Sequence, residues 1–104
     1  MHSTMKGASV FDIPTITEGE VFQTLFEHKN VTIERIVSSG KQPPVKYLQE
    51  QDEWVLLLSG QAEMALAGQP ISLEAGDTLH LPGGVEHEVL RTSAGATWLA
   101  VHVK

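Results

Sequence analysis

The side chains that could carry chemistry in this chain are histidines and carboxylates. The sequence contains five histidines and no cysteine, which excludes disulfide frameworks, thiolate zinc sites and cysteine nucleophiles. Any metal ion would therefore need nitrogen and oxygen ligands. Glycine-rich phosphate loops, dinucleotide fingerprints and nucleophile elbows are absent, and Ser59 precedes Gly60 in an expected hairpin turn. A histidine or carboxylate acting as a ligand, an acid or a base is the chemistry left open.

His87 is the histidine with the clearest local setting, because Glu86 and Glu88 flank it. In a β-strand, neighbouring side chains point to opposite faces. His87 therefore faces away from both glutamates, and the three side chains are not expected to act on one substrate. His80 and His102 also lie in expected strands, but the period of two leaves open whether either points inward.

Seven short β-rich runs separated by turn residues dominate the chain from Asn30 onward. In several of them, such as residues 62–66, apolar and polar residues alternate, which indicates one inward face. Runs of this length favour antiparallel hairpins wrapped around one core. The seven runs are residues 31–37, 54–58, 62–66, 71–73, 78–81, 86–91 and 97–103.

One short helix is expected before these strands. Apolar residues recur at helical spacing within residues 18–27 and would pack as a lid on the barrel or on a partner subunit. Residues 1–9 are small and polar, which predicts a flexible N-terminus. Residues 10–104 have the length of a single domain.

Composition limits the partners. The formal net charge is −6, and no basic stripe is present, so nucleic-acid binding is not expected. The chain has neither an apolar run long enough to span a bilayer nor the apolar centre of a secretion signal near its start. We therefore expect a cytoplasmic protein with no membrane partner.

Two apolar runs, residues 55–58 and 98–101, break the alternation of their strands. A strand covered on both faces has this pattern. It predicts a homodimer, although a thick barrel wall would produce the same pattern.

The stretch from Gly76 to His87 resembles the second conserved motif of the cupin superfamily. That motif is a glycine, five residues, Pro, any residue, Gly, two residues and His, and its fixed positions are Gly76, Pro82, Gly84 and His87 here. The chain as a whole is similar to small single-domain bacterial cupins, with which it shares residues 52–58 and 98–102. The resemblance implies an all-β, antiparallel jelly-roll barrel with its site in the barrel mouth.

The first cupin motif is only half present. Glu53 and Gly60, separated by six residues, resemble its second half. The pair of histidines that precedes the glutamate in metal-binding cupins is missing. Depending on the spacing used, the pair is replaced by Lys46 with Leu48 or by Tyr47 with Gln49, and none of these is an ordinary metal ligand.

The resemblance implies Glu53 and His87 as metal ligands, and Gln49, His102 and His80 are candidates to complete the site. Tyr47, Gln49 and His102 are also expected to line the pocket. Oxygen and imidazole ligands suit a divalent ion such as Mn, Fe, Ni or Zn. The first hypothesis is therefore a small-molecule-binding cupin that holds such an ion in its barrel. The alternative is a metal-dependent oxidoreductase or isomerase, dioxygenase-like, that acts on a small polar substrate. A non-catalytic sensor or binding module that has lost its metal is a further interpretation of the degenerate motif.

Overall fold

The computed structural model describes residues 7–104 of the chain, and within that range it contains β-strands and no helix. Consequently, no described segment is a helix that could cross a membrane. The strands are β1 (Glu20–His28), β2 (Val31–Ser38), β3 (Val45–Tyr47), β4 (Asp52–Ser59), β5 (Gln61–Leu66), β6 (Gln69–Glu74), β7 (Thr78–Leu81), β8 (His87–Thr92) and β9 (Ala96–Val103).

These strands form two antiparallel sheets. A five-stranded sheet has the order β1-β2-β9-β4-β7, and a four-stranded sheet has the order β3-β8-β5-β6. The expected all-β jelly-roll arrangement is confirmed, but the expectation of a closed barrel is wrong. No backbone pairing joins the two sheets among the described residues. Side chains on their facing surfaces hold the layers together instead, as in a sandwich.

All seven strands expected from alternation and turn residues are present, with ends that differ by only a few residues. Strand β3 was not expected, because it is only three residues long and follows Pro43 and Pro44. Gly60 allows the tight β4–β5 turn. Its φ is +89°, and a Cβ there would lie 2.6 Å from the Ser93 hydroxyl.

The helix expected over residues 18–27 is wrong, because this segment forms β1 and pairs with β2 along its length. A β-bulge between Thr24 and Phe26 explains the misleading spacing. The bulge inserts one extra residue and shifts the alternation. Phe22 lies opposite Ile36 and Phe26 lies opposite Ile33, so the two phenylalanines point to opposite faces of the sheet.

The core lies between the sheets, where the fully buried side chains of Leu57 and Leu81 meet Met64 and Trp98. On the outer side, the Arg35 guanidinium donates hydrogen bonds to the carbonyls of Val10 (3.1 Å) and Asp12 (2.9 Å). These bonds hold the N-terminal segment against the five-stranded sheet. The flexible N-terminus expected over residues 1–9 falls mostly on residues 1–6, outside the described range.

Candidate small-molecule site between the two sheets

A hollow of about 100 Å³ lies between the inner faces of the two sheets, next to the packed core. Both sheets contribute polar side chains to it, because alternation turns every second residue inward. The polar lining consists of Glu20, Glu34, Tyr47, Gln49, Glu53, His87 and His102. The apolar lining consists of Phe22, Ile36, Val55, Met64, Leu81, Val89 and Trp98.

Glu53 is the most buried carboxylate of this lining, with 7% of its surface exposed. Its Oε1 accepts a hydrogen bond from the Gln49 side-chain amide at 2.7 Å. The Nε2 atoms of His87 and His102 lie 3.9 Å from Oε1 and 3.8 Å from Oε2, respectively. Both separations are too long for hydrogen bonds. The carboxylate therefore keeps acceptor capacity that a ligand could use.

His87 is almost fully buried, with 4% of its surface exposed. The aromatic ring of Tyr47 stacks on its imidazole, with centroids 5.2 Å apart. Among the described residues, its Nδ1 has no hydrogen-bond partner of acceptable geometry. Burial lowers the pKa of His87 below its ordinary value of 6.5, and the nearby Glu53 carboxylate and Val85 backbone offset this effect only in part. The structure therefore favours a neutral imidazole.

Tyr47 lies on β3 directly opposite His87 on β8. Burial raises the pKa of Tyr47 above its ordinary value, and the charges of Glu20, Glu53 and Glu34 raise it further. The phenol thus stays protonated and can donate a hydrogen bond into the hollow.

His102 connects two of the carboxylates. Its Nε2 lies 3.2 Å from Oε1 of Glu34 on the neighbouring strand and 3.8 Å from Oε2 of Glu53. These three side chains meet because β9 runs between β2 and β4 in the sheet. The neighbouring strands therefore place one imidazole between two carboxylates of the hollow.

A tight turn holds Gln49 in place. The amide of Gly83 donates to the Asp52 carboxylate at 2.7 Å, and the amide of Gly84 donates to the Gln49 carbonyl at 2.8 Å. The glycines of the second sequence motif therefore fasten the loop that carries Gln49 to β4.

All five site residues expected from the sequence line this hollow: Tyr47, Gln49, Glu53, His87 and His102. The structure also decides between the two spacings for the missing histidine pair. Lys46 lies opposite Glu88, and Leu48 is 70% exposed. Tyr47 and Gln49 are thus the inward residues. The other candidate, His80, is exposed and lies 3.9 Å from the Asp52 carboxylate, away from the hollow.

Sequence reasoning missed Glu20, Glu34 and Phe22, which also line the hollow. Glu20 and Phe22 belong to the segment expected to be helical, where a period of two was not considered. The signal for Glu34 was available, because it alternates with Ile36 along β2 and both face inward.

The contacts in the hollow do not fit a divalent metal ion. In the described residues, no group of three or more His, Cys, Asp or Glu side chains is arranged to hold one. Tyr47 stacks on the His87 imidazole, and the Gln49 amide already donates to Oε1 of Glu53. The metal site with Glu53 and His87 stays a prediction that these contacts do not support.

Residues 32–102 match the family model described as a cupin domain. Among solved structures, the chain is similar to a protein of Ralstonia eutropha JMP134, provisionally described as a mannose-6-phosphate isomerase. The two are 38% identical with a TM-score of 0.87, over 96% of this chain and 99% of that chain.

More distant structures share the fold. A conserved protein of unknown function from Streptococcus pyogenes is 21% identical with a TM-score of 0.83, over 99% of this chain and 90% of that one. The cupin domain of Schizosaccharomyces pombe Cnp3 is 11% identical with a TM-score of 0.81, over 94% of this chain and 73% of that one. No protein with curated function matches the chain.

Proposed function

The chain belongs to the cupin domain family, and from that premise we propose that it binds a small organic molecule in the hollow between its sheets. The observation that carries this proposal is the convergence of Glu53, His87 and His102 on one cavity, where the Nε2 atoms of both histidines lie too far from the Glu53 carboxylate for hydrogen bonds. Buried polar groups are usually hydrogen-bonded, and ligand sites are concave and mostly apolar with a few convergent polar groups.

Amide NMR titration of the purified protein tests this proposal. A panel of small neutral, anionic and cationic molecules would be added, and backbone shifts would be followed. We expect at least one class to move the signals of Glu53, His87 and His102. Gln61, Glu63 and Arg91 line a separate surface groove and serve as the spatial control. If no panel member moves the signals of the hollow, or only the groove responds, the proposal is wrong.

The proposed binding does not depend on a metal ion, because the donor set described above does not fit one. Elemental analysis of protein purified without chelator is expected to show no stoichiometric Mn, Fe, Ni or Zn. Adding each ion is expected to leave the melting temperature unchanged, since a ligand that binds the native state raises it. Stoichiometric metal that is lost in His87→Ala would contradict this part of the proposal.

A metal-dependent oxidoreductase or isomerase is the second candidate, and the 38% identical Ralstonia protein favours it. The lining argues against a phosphorylated substrate, because Glu20, Glu34 and Glu53 would repel a phosphate dianion. Conversion of mannose 6-phosphate to fructose 6-phosphate by the purified protein, with and without added divalent ions, discriminates the two. Turnover that disappears in His87→Ala would replace the binding proposal with this one.

A further inference from the structure

We propose that the ligand of this hollow is a small organic cation, an ammonium or amidinium group on an apolar body. This inference rests on the proposed binding function and names the class of ligand. It follows from the charges, the unsatisfied groups and the apolar surface that the cavity presents together.

The charge of the lining is negative. Glu20, Glu34 and Glu53 contribute carboxylates, and among the described residues no lysine or arginine lines the hollow. His102 contacts two of these carboxylates. One imidazole cannot offset the charge of three carboxylates. A cation entering the hollow therefore gains attraction in a low-dielectric setting, whereas an anion is repelled.

An independent observation, the state of His87, also points to a ligand. Its side chain is 5% exposed, and its Nε2 faces Glu53 across 3.9 Å with no hydrogen bond between them. A gap of this size between two acceptors suits a bridging donor group. Burial favours the neutral imidazole, which can accept a hydrogen bond from an N–H group, and the free capacity of Glu53 can accept another.

The remaining lining favours an organic cation over a bare metal ion. Phe22, Tyr47 and Trp98 line the same hollow, and aromatic rings attract organic ammonium groups. Among the described residues, no group of three or more His, Cys, Asp or Glu side chains is arranged to hold a metal ion. An ammonium group can hydrogen-bond to the Glu53 carboxylate without displacing Gln49.

Calorimetric titration with three compounds of nearly equal shape tests the inference. Benzylamine, benzyl alcohol and benzoate differ mainly in charge at neutral pH. We expect benzylamine to bind at least about tenfold more tightly than benzyl alcohol, because hydrogen bonds to charged groups are stronger than neutral ones. Benzoate is expected to show no binding. The difference in affinity between benzylamine and benzyl alcohol should become smaller at high salt, because salt screens the attraction between charges.

Three variants locate the effect. Glu34→Gln and Glu53→Gln each remove one carboxylate from the hollow and should weaken benzylamine binding at least about tenfold, while binding of benzyl alcohol changes little. Glu88→Gln removes one negative charge from the outer face of β8 instead, and this variant is expected to bind benzylamine as tightly as the wild type does. Circular dichroism checks that each variant is folded. If Glu53→Gln does not fold, the titrations of the three compounds into the wild type still test the inference.

The outcomes distinguish the proposed binding function from the proposed preference for a cation. If benzyl alcohol or benzoate binds as tightly as benzylamine, the hollow is a binding site but the charge preference is wrong. Equal weakening by Glu34→Gln and Glu88→Gln also overturns the charge preference, because it indicates an effect of net charge alone. If none of the three compounds binds and the NMR panel is also silent, the binding function itself is wrong.

Discussion

The imidazole of His87 and the carboxylate of Glu53 face each other across 3.9 Å, and a different neighbour holds each one. Stacking on Tyr47 orients the imidazole, and the Gln49 amide orients the carboxylate. A histidine this close to a carboxylate would ordinarily gain a proton, but burial has the larger effect on its pKa here. The pair therefore remains two separate acceptors, as the proposed cationic ligand requires.

The lowered pKa of His87 predicts how stability depends on pH. The unfolded chain takes up a proton on this histidine near pH 6.5, whereas the folded protein resists it until lower pH. Because the unfolded state binds more protons in that window, the free energy of unfolding should fall as the pH drops below about 6.5. Urea unfolding across this range, compared with His87→Gln, measures the contribution.

Below about pH 6.5, the free energy of unfolding of His87→Gln should fall less steeply with decreasing pH than that of the wild type. His80→Gln is the matched control, because His80 is exposed on the outer face of β7. A slope that is the same in the wild type and in His87→Gln would show that His87 is not held neutral by burial.

At the scale of elements, the turn at residues 82–84 holds the loop that carries Gln49. It lies against the loop between β3 and β4, and its backbone amides donate hydrogen bonds to the Asp52 carboxylate and the Gln49 carbonyl. The approach is close, since a Cβ on Gly83 would lie 2.2 Å from the Glu50 carbonyl oxygen. Glycine is therefore required at position 83 by the neighbouring backbone.

Gly83→Ala is expected to displace this loop and to break the hydrogen bond between Gln49 and Glu53. We expect a loss of stability of about 1–3 kcal/mol, the range seen when a side chain is forced into a packed contact or a buried hydrogen bond is broken. Chemical denaturation measures the loss, and the side-chain amide signals of Gln49 report the displacement.

Gly84→Ala is the control at the adjacent position. Gly84 has a φ of +78°, but a Cβ there would meet nothing within 4 Å. Only backbone strain of about 1 kcal/mol is expected, with the Gln49 signals unchanged. Equal losses in the two variants would contradict the steric argument.

At the scale of the whole molecule, the outer face of the five-stranded sheet is apolar where its central strands meet. Val101 of β9 lies between Ile33 and Trp54, and Leu99 lies opposite Leu56. Trp54 remains 39% exposed. We propose that a second copy of the chain covers this face around Trp54, two strands away from the Arg35 that holds the N-terminal segment, because a symmetric dimer pairs one such apolar patch with itself.

Trp54→Glu should therefore convert a dimer into a monomer, because the charge would be buried at the centre of the contact. Light scattering after gel filtration should show a change from twice the chain mass of 11.3 kDa to that mass itself. Leu48→Glu is the control, since Leu48 is 70% exposed in the loop after β3. A wild-type mass of one chain would show that the face is not a dimer interface at the concentration measured.

Much of the fold was predictable because its signals are local. Strands β2 and β4–β9 followed from alternation and turn residues, and the glycine-rich motif placed His87 at the start of β8. The prediction of a helix over residues 18–27 was wrong because the bulge in β1 depends on pairing with β2. Local sequence patterns carry no information about that pairing. The same non-local pairing was needed to bring Glu20 and Phe22 to the hollow.

By itself, the sequence determined the all-β class, since side-chain period and turn chemistry act over a few neighbouring residues. The resemblance to cupins added five residues that line the hollow. Only the tertiary structure decided that the sheets remain separate layers and that Tyr47 and Gln49 occupy the inward positions of the missing histidine pair. It also brought together Glu34, Glu53 and His102 from three adjacent strands. Their combined charge depends on strand order and register, which are properties of the folded chain.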